Sequence, residues 1–247
     1  MNTESNKQDY FLGVAPFVSL KKFDGVILNY SRQLQRIEET LLNYYKFSKK
    51  DCLSELSKIK KELDQLGHQD QYIRVTFNNK GDFSFAVDST DETFETCSKR
   101  TISVDLVKRE LHQESFPLIK KINYQDVFEI VNEFKEKGYD DIIFYNSEDV
   151  VTEASTSNLL CLKNGEYFTP QRSDEFHIGT TIRFFIEKLN AKEKKVFKDD
   201  LDKLDGLWLL NARRGIRGVS KIQNKEIKID PIETQKLIDM FLMENKN

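Results

Sequence analysis

The sequence predicts an α+β chain built as two units, and three observations predict it. Short runs that alternate in a two-residue period are separated by turns containing Asp-Gly, Asn-Gly or Lys-Gly; segments with apolar residues three and four apart lie between them; and the pattern lapses once, around Pro117. At about 150 residues per domain, the 247 residues leave room for one large domain or two small ones.

Phe17 to Leu28 reads as two strands around Asp24-Gly25, a common hairpin dipeptide. Leu34, Ile37, Leu41, Leu42 and Tyr45 then repeat at helical spacing. Leu53, Leu56, Ile59, Leu63 and Leu66 do so again after a break at Lys49 to Asp51. Tyr72 to Phe77 and Phe83 to Val87 alternate around Asn79-Lys80-Gly81, and Ile102 to Val107 alternates likewise. These elements make a small α+β domain over residues 1–112. Pro117 suits an extended segment better than a helix or central strand, so 113–119 is read as the connector.

Residues 120–247 then form the larger domain. Val127, Ile130, Val131 and Phe134 mark a helix, Asp141 to Tyr145 a strand, and Val150 to Asn158 a strand running into a loop. Asn164-Gly165 marks another hairpin, and Ile182, Phe185, Ile186 and Leu189 another helix. Leu207 to Leu210 is a short strand of buried type, and Val219 to Asp230 resembles a hairpin. Pro231 opens a terminal helix carrying Leu237, Ile238, Phe241 and Leu242.

Composition narrows the function classes. Lys and Arg number 38 against 41 Asp and Glu, a net charge of -3, so no general basic field exists to hold nucleic acid or an anionic membrane. Eighteen Phe and 9 Tyr supply ample core and argue against disorder. Cys52, Cys97 and Cys161 form no C-x-x-C pair, and His68, His112 and His177 have no ligand-like spacing, so no metal is expected. The segment MNTESNKQDYF lacks an apolar signal core, and no stretch reaches the roughly 18 apolar residues of a membrane span. The cytoplasm is the expected compartment.

Four separated segments carry the chemistry. Val151-Thr-Glu-Ala-Ser-Thr-Ser-Asn158 resembles the E-G-S-x-S-N signature of fold-type IV pyridoxal-phosphate enzymes, the class IV aminotransferase family. Lys120-Lys-Ile-Asn-Tyr124 is similar to that family's K-x-x-N segment, Ile178-Gly-Thr-Thr-Ile182 to L-x-G-I-T-R, and Asn211-Ala-Arg-Arg-Gly-Ile216 to the N-S-L-R-G-I of aminodeoxychorismate lyases. Gln33-Leu-Gln-Arg36-Ile37 stands in place of H-L-x-R-L. The chain departs from the family at Val18, Ser19 and Lys21, where F-E-T-x-R is usual, and at Gln33, Ala154 and Ile182. These departures bear on the substrate more than on the cofactor.

The resemblance implies a two-domain fold in which the larger domain carries a mixed sheet or barrel, and pyridoxal 5'-phosphate as cofactor. It makes Lys120, rather than Lys121, the catalytic residue that forms the Schiff base. Burial and neighbouring positive charge would keep its neutral amine accessible. Glu153 would sit against the pyridine nitrogen and keep it protonated, making the ring an electron sink. Tyr124 would bond the phenolic oxygen. Thr156, Thr180, Thr181 and Ala212 would line the cofactor site, and Arg36 would pair with the phosphate beside the helix start at Gly179. Lys21, Arg213 and Arg214 are weaker candidates for substrate carboxylates. Taken singly, each of these reads as an ordinary surface or capping residue; their joint order gives the assignment its weight.

Among the family's reactions, the short chain and the Asn211–Ile216 segment favour 4-amino-4-deoxychorismate lyase, which releases pyruvate and 4-aminobenzoate for folate synthesis. The alternatives are a branched-chain or D-amino-acid aminotransferase and a non-catalytic cofactor-binding homologue. The resemblance also implies a homodimer acting on a small amino substrate.

Overall fold

A computed structural model describes residues 16–67, 69–88, 99–109, 125–171 and 178–246. They fall into two compact units, the first holding 16–88 and the second 99–109 with 125–246 of those described.

The first unit opens with β1 (Phe17–Phe23) and β2 (Val26–Ile27), continues through α1 (Tyr30–Glu39), a π-helical turn (Thr40–Tyr44) and α2 (Lys49–Asp64), and ends with β3 (Gln71–Phe77) and β4 (Phe83–Asp88). The strands form an antiparallel sheet in the order β2-β1-β3-β4. Asp24 and Gly25 have φ of 51° and 78°, the paired left-handed backbone that lets a two-residue turn follow the strand twist.

The break between helices lies just before Lys49, not at Lys49 to Asp51. Ser48 caps α2 by accepting the Asp51 N–H, so the polar residues expected to interrupt the helix begin it. Cys52, Leu56, Ile59 and Leu63 form its buried stripe, and Leu53 stands 63% exposed. This stripe packs with Ile37 and Leu41 against Val18, Leu20, Ile73, Val75 and Phe77. Each such side chain gains about 1.5–3 kcal/mol by leaving water. The opposite sheet face carries Ser19 and Lys21 of β1 beside Arg74 and Tyr72 of β3.

The second unit runs β5 (Ile102–Lys108), α3 (Gln125–Glu136), β6 (Asp141–Tyr145), β7 (Val151–Ala154), β8 (Asn158–Lys163), β9 (Glu166–Pro170), α4 (Thr180–Leu189), β10 (Lys192–Lys194), a 3-10 segment (Lys198–Lys203), β11 (Gly206–Asn211), β12 (Gly215–Ile222), β13 (Lys225–Glu226) and α5 (Pro231–Lys246). The nine strands form a mixed sheet, β10-β9-β8-β11-β12-β5-β6-β7, with β13 beside β12. Strand β5 has the predicted alternation but pairs in parallel with β12 and β6, so it belongs here rather than with the first unit. Alternation reports which faces a strand buries and carries nothing about its distant partner. The connector expected at 113–119 lies outside the described residues.

The sheet curls until its two ends meet as a half-barrel. The Val151 N–H donates to the Val196 carbonyl at 2.8 Å, the Lys198 N–H to Asp149 at 3.0 Å, and Val150 bridges Phe197. Inside lie Ile102, Val104, Ile143, Leu159, Cys161, Leu207, Leu209 and Val219. Leu160, Trp208 and Leu210 alternate with these and are equally buried. Burial on both faces explains the unbroken apolar run Leu207 to Leu210. On the outside, the Trp208 indole donates to Thr234 of α5 at 2.9 Å, and Phe184 of α4 meets Phe241 of α5 edge to face at 5.0 Å between ring centres. No described helix is long and apolar enough to cross a membrane.

Candidate functional site

A tight turn between β7 and β8 is the hub. The Ala154 N–H donates to the Ser157 carbonyl at 2.8 Å, reversing the chain within three residues. Three side chains of the segment are buried and spent on its surroundings. Ser155 donates to Asp141 at 2.5 Å, Ser157 accepts from the Asn211 amide at 2.9 Å, and Asn158 accepts from the Gly179 N–H at 2.7 Å. Glu153 and Thr156 are only half-buried, so the turn presents a carboxylate and a hydroxyl.

Asn211 ties the next segment to this hub. Its amide also donates to the Thr156 carbonyl at 3.3 Å, and its side-chain oxygen accepts the N–H groups of Arg213 and Arg214 at 3.0 and 2.6 Å. Gly215, at φ of 73°, completes the β11–β12 turn with the left-handed backbone glycine favours. Ala212 and Arg214 are half-buried here and Arg213 is exposed. Arg214 stands 3.8 Å from Asp141, and the buried Arg217 pairs with the same carboxylate at 2.9 Å.

The third part is the start of α4. Gly179 caps the helix without a side-chain bond, and a Cβ there would fall 2.6 Å from the Asn158 oxygen. Thr180 and Thr181 are buried, and no acidic residue occupies the first turn. Helix N-termini attract anions to their unsatisfied N–H groups, and a first turn of Thr180, Thr181, Ile182 and Arg183, without a carboxylate, suits an anion. The donor set of backbone N–H groups and threonine hydroxyls fits a phosphate, and the half-buried Glu153 is a carboxylate of the type a protonated ring nitrogen would need.

Of the sequence candidates, Thr156, Ala212, Arg213 and Arg214 are thus brought together, and Asn158 links Thr180 and Thr181 to the same turn. Arg36 and Lys21 are buried in the first unit, on α1 and β1. Lys120 and Tyr124 lie outside the described residues, as do Cys97 and all three histidines. Cys52 and Cys161 are buried free thiols, and burial pushes Cys161 up to about 12, leaving it unreactive. Among the described residues no cluster could hold a metal.

Sequence reasoning missed Asp141, Arg217 and the bracing role of Asn211. Asp141 starts β6, where a charge ordinarily reads as a solvated end, and Arg217 is the third residue of β12, directly after the Asn211–Ile216 motif. The signal for Asn211 was its place before a turn, because Asn side chains habitually bond backbone N–H groups two residues on.

Comparisons with known proteins bear on the family and the fold. The model for the family described as "Amino-transferase class IV" matches residues 17–222. A "Probable branched-chain-amino-acid aminotransferase" of Aquifex aeolicus is 29% identical over 107 residues, 40% of this chain and 34% of that protein. The match therefore spans about a third of the relative's length. Two solved structures share the fold. A "Putative 4-amino-4-deoxychorismate lyase" of Legionella pneumophila has a TM-score of 0.73 at 21% identity, covering 96% of this chain and 92% of that one. An aminotransferase of Brucella abortus bound to the cofactor has a TM-score of 0.75 at 15% identity, covering 97% and 92%. A family match over most of the chain and a shared half-barrel lead to one assignment: the chain belongs to the class IV aminotransferases, and its cofactor is pyridoxal phosphate.

Proposed function

We propose that this chain is a 4-amino-4-deoxychorismate lyase that releases pyruvate and 4-aminobenzoate. The observation that carries the reading is the Asn211-braced turn, which sets Arg213 and Arg214 beside the Glu153–Asn158 loop. The lyase substrate bears two carboxylates, one on its ring and one on the enolpyruvyl group, and two guanidinium groups match that demand. A branched-chain amino acid offers one carboxylate and an apolar side chain.

In this reading Thr180, Thr181 and the N–H groups of the α4 first turn hold the phosphate. Glu153 faces the ring nitrogen, Tyr124 the phenolic oxygen, and Thr156 and Ala212 flank the ring. When bound, pyridoxal phosphate supplies a sink for the electrons left as a proton departs from the carbon bearing the substrate amine. Lys120 is the residue that anchors the cofactor, takes that proton as general base and returns one to the departing fragment. Arg213 and Arg214 fix the substrate carboxylates. The protein acts as a homodimer in the cytoplasm.

A second reading has its own support. The curated relatives matched at 27–29% identity are named as branched-chain-amino-acid aminotransferases. One assay separates the two. Purified protein with pyridoxal phosphate and 4-amino-4-deoxychorismate is expected to yield pyruvate and 4-aminobenzoate in equal amounts without 2-oxoglutarate. Keto-acid formation from leucine that requires 2-oxoglutarate, with no pyruvate from the chorismate derivative, would overturn the lyase reading.

A further inference from the structure

We propose that Asp141 is a positioning residue for the cofactor, acting through Ser155. Its carboxylate is 1% exposed, and an isolated buried charge of this kind is costly unless fully compensated. Here it is compensated from three directions. It accepts the Ser155 hydroxyl at 2.5 Å, the Arg217 guanidinium at 2.9 Å and the backbone N–H of Ile142 at 2.9 Å. Arg214 adds a fourth, looser approach at 3.8 Å.

Those partners come from different parts of the sheet. Ser155 belongs to the β7–β8 turn, Arg214 to the β11–β12 turn, Arg217 to β12, and Asp141 itself starts β6. One carboxylate therefore fixes the turn between Glu153 and Thr156 relative to the turn carrying Arg213 and Arg214. An apolar residue could fill the same volume and could not hold both turns. The charges also divide unevenly. Arg217, 7% exposed, is matched by Asp141, whereas Arg214, 35% exposed, brings a second positive charge to the same carboxylate. The surplus positive charge thus rests on the more exposed guanidinium.

The inference rests on the reading that Glu153 and Thr156 face the cofactor, and its test separates the two. Pyridoxal phosphate binding to the full chain freed of cofactor is measured by equilibrium dialysis for wild type, Asp141→Asn, Ser155→Ala, the double variant and Thr156→Ala, with thermal melts of each cofactor-free protein. Each single change at the pair is expected to raise the Kd about tenfold, and the double variant to do no worse than the weaker single, because both break one link. A lowered melting temperature with an unchanged Kd would make Asp141 a stabilising group only and overturn the proposal. So would multiplied effects in the double variant, which would mean that Asp141 acts by another route. Should Asp141→Asn not fold, Ser155→Ala decides alone, since a wild-type Kd there removes the link. If instead Thr156→Ala binds normally while the pair variants bind weakly, the positioning stands and the contact assigned to Thr156 falls.

Discussion

The side-chain oxygen of Asn158 accepts the backbone N–H of Gly179 at 2.7 Å, joining the start of β8 to the first turn of α4. A methyl group at residue 179 would sit 2.6 Å from that oxygen and must displace it. Gly179 has an ordinary extended backbone, so alanine brings a collision rather than backbone strain. Gly179→Ala is expected to weaken pyridoxal phosphate binding about tenfold or more and to cost roughly 1–2 kcal/mol of stability through the broken bond. Equilibrium dialysis and urea unfolding check the two effects separately, and unchanged binding would remove the α4 start from the phosphate site.

Lys120→Ala tests the proposed catalytic amine. Turnover is expected to fall by about a thousandfold or more, the scale of a lost general base. Wild type with added pyridoxal phosphate should develop a near-visible absorption band that the variant lacks. Lys121→Ala should behave as wild type. A band persisting in Lys120→Ala and lost in Lys121→Ala would shift the assignment by one residue.

Thr234→Val removes a hydroxyl that accepts the buried Trp208 indole N–H and donates to the Asp230 carbonyl at 2.9 Å. The change keeps the side-chain shape and leaves the Trp208 indole N–H, which is fully buried, without its acceptor. An unsatisfied buried donor costs about 1–3 kcal/mol. Trp208 is the single tryptophan, so its fluorescence reports urea unfolding directly. A loss under a few tenths of a kcal/mol would mean that another group takes over the indole.

Tyr167 and Glu233 make stability depend on pH at both extremes. Tyr167 of β9 donates its hydroxyl to Glu233 of α5, which Lys236 also holds at 2.9 Å. Burial, helped by the bond and charge of Glu233, pushes the phenol well up. Burial alone would raise the Glu233 carboxyl, but hydrogen bonds from Tyr167 and Lys236 outweigh it and hold it below its ordinary value. The lowered carboxylate stabilises the fold above about pH 4.3, its unfolded value, and this is lost as pH falls through the lower folded value. The raised phenol stabilises below about pH 10 and this is lost as pH climbs past it. Tyr167→Phe is expected to cost about 1 kcal/mol at neutral pH, a gap that closes toward both extremes. A gap constant from pH 3 to 11 would refute the coupling.

Much of the fold was legible because local chemistry decided it. Asp24-Gly25 and Asn164-Gly165 announced their hairpins, and both pairs adopt the required left-handed backbone. Pro231 opened α5 as read. Pairing over long distances was not legible: β5 showed its alternation but not its sheet. Nor could composition distinguish Cys52 from Leu53 as the residue α2 buries, since both are apolar and adjacent. At the candidate site, the motif carrying Glu153 and Thr156 could be read in order. Asp141 and Arg217 could not, because only three-dimensional burial turns two ordinary charges into a brace.

The meeting of β7 with the segment after β10 bears on how the protein behaves when crowded with copies of itself. Terminal strands of an open sheet offer rows of N–H and carbonyl groups that recruit neighbouring chains into growing β-structure. Here the bonds of Val151 to Val196 and of Lys198 to Asp149 spend such groups within one molecule. Curling thus guards these two rims against edge-to-edge aggregation while the same curvature encloses the core.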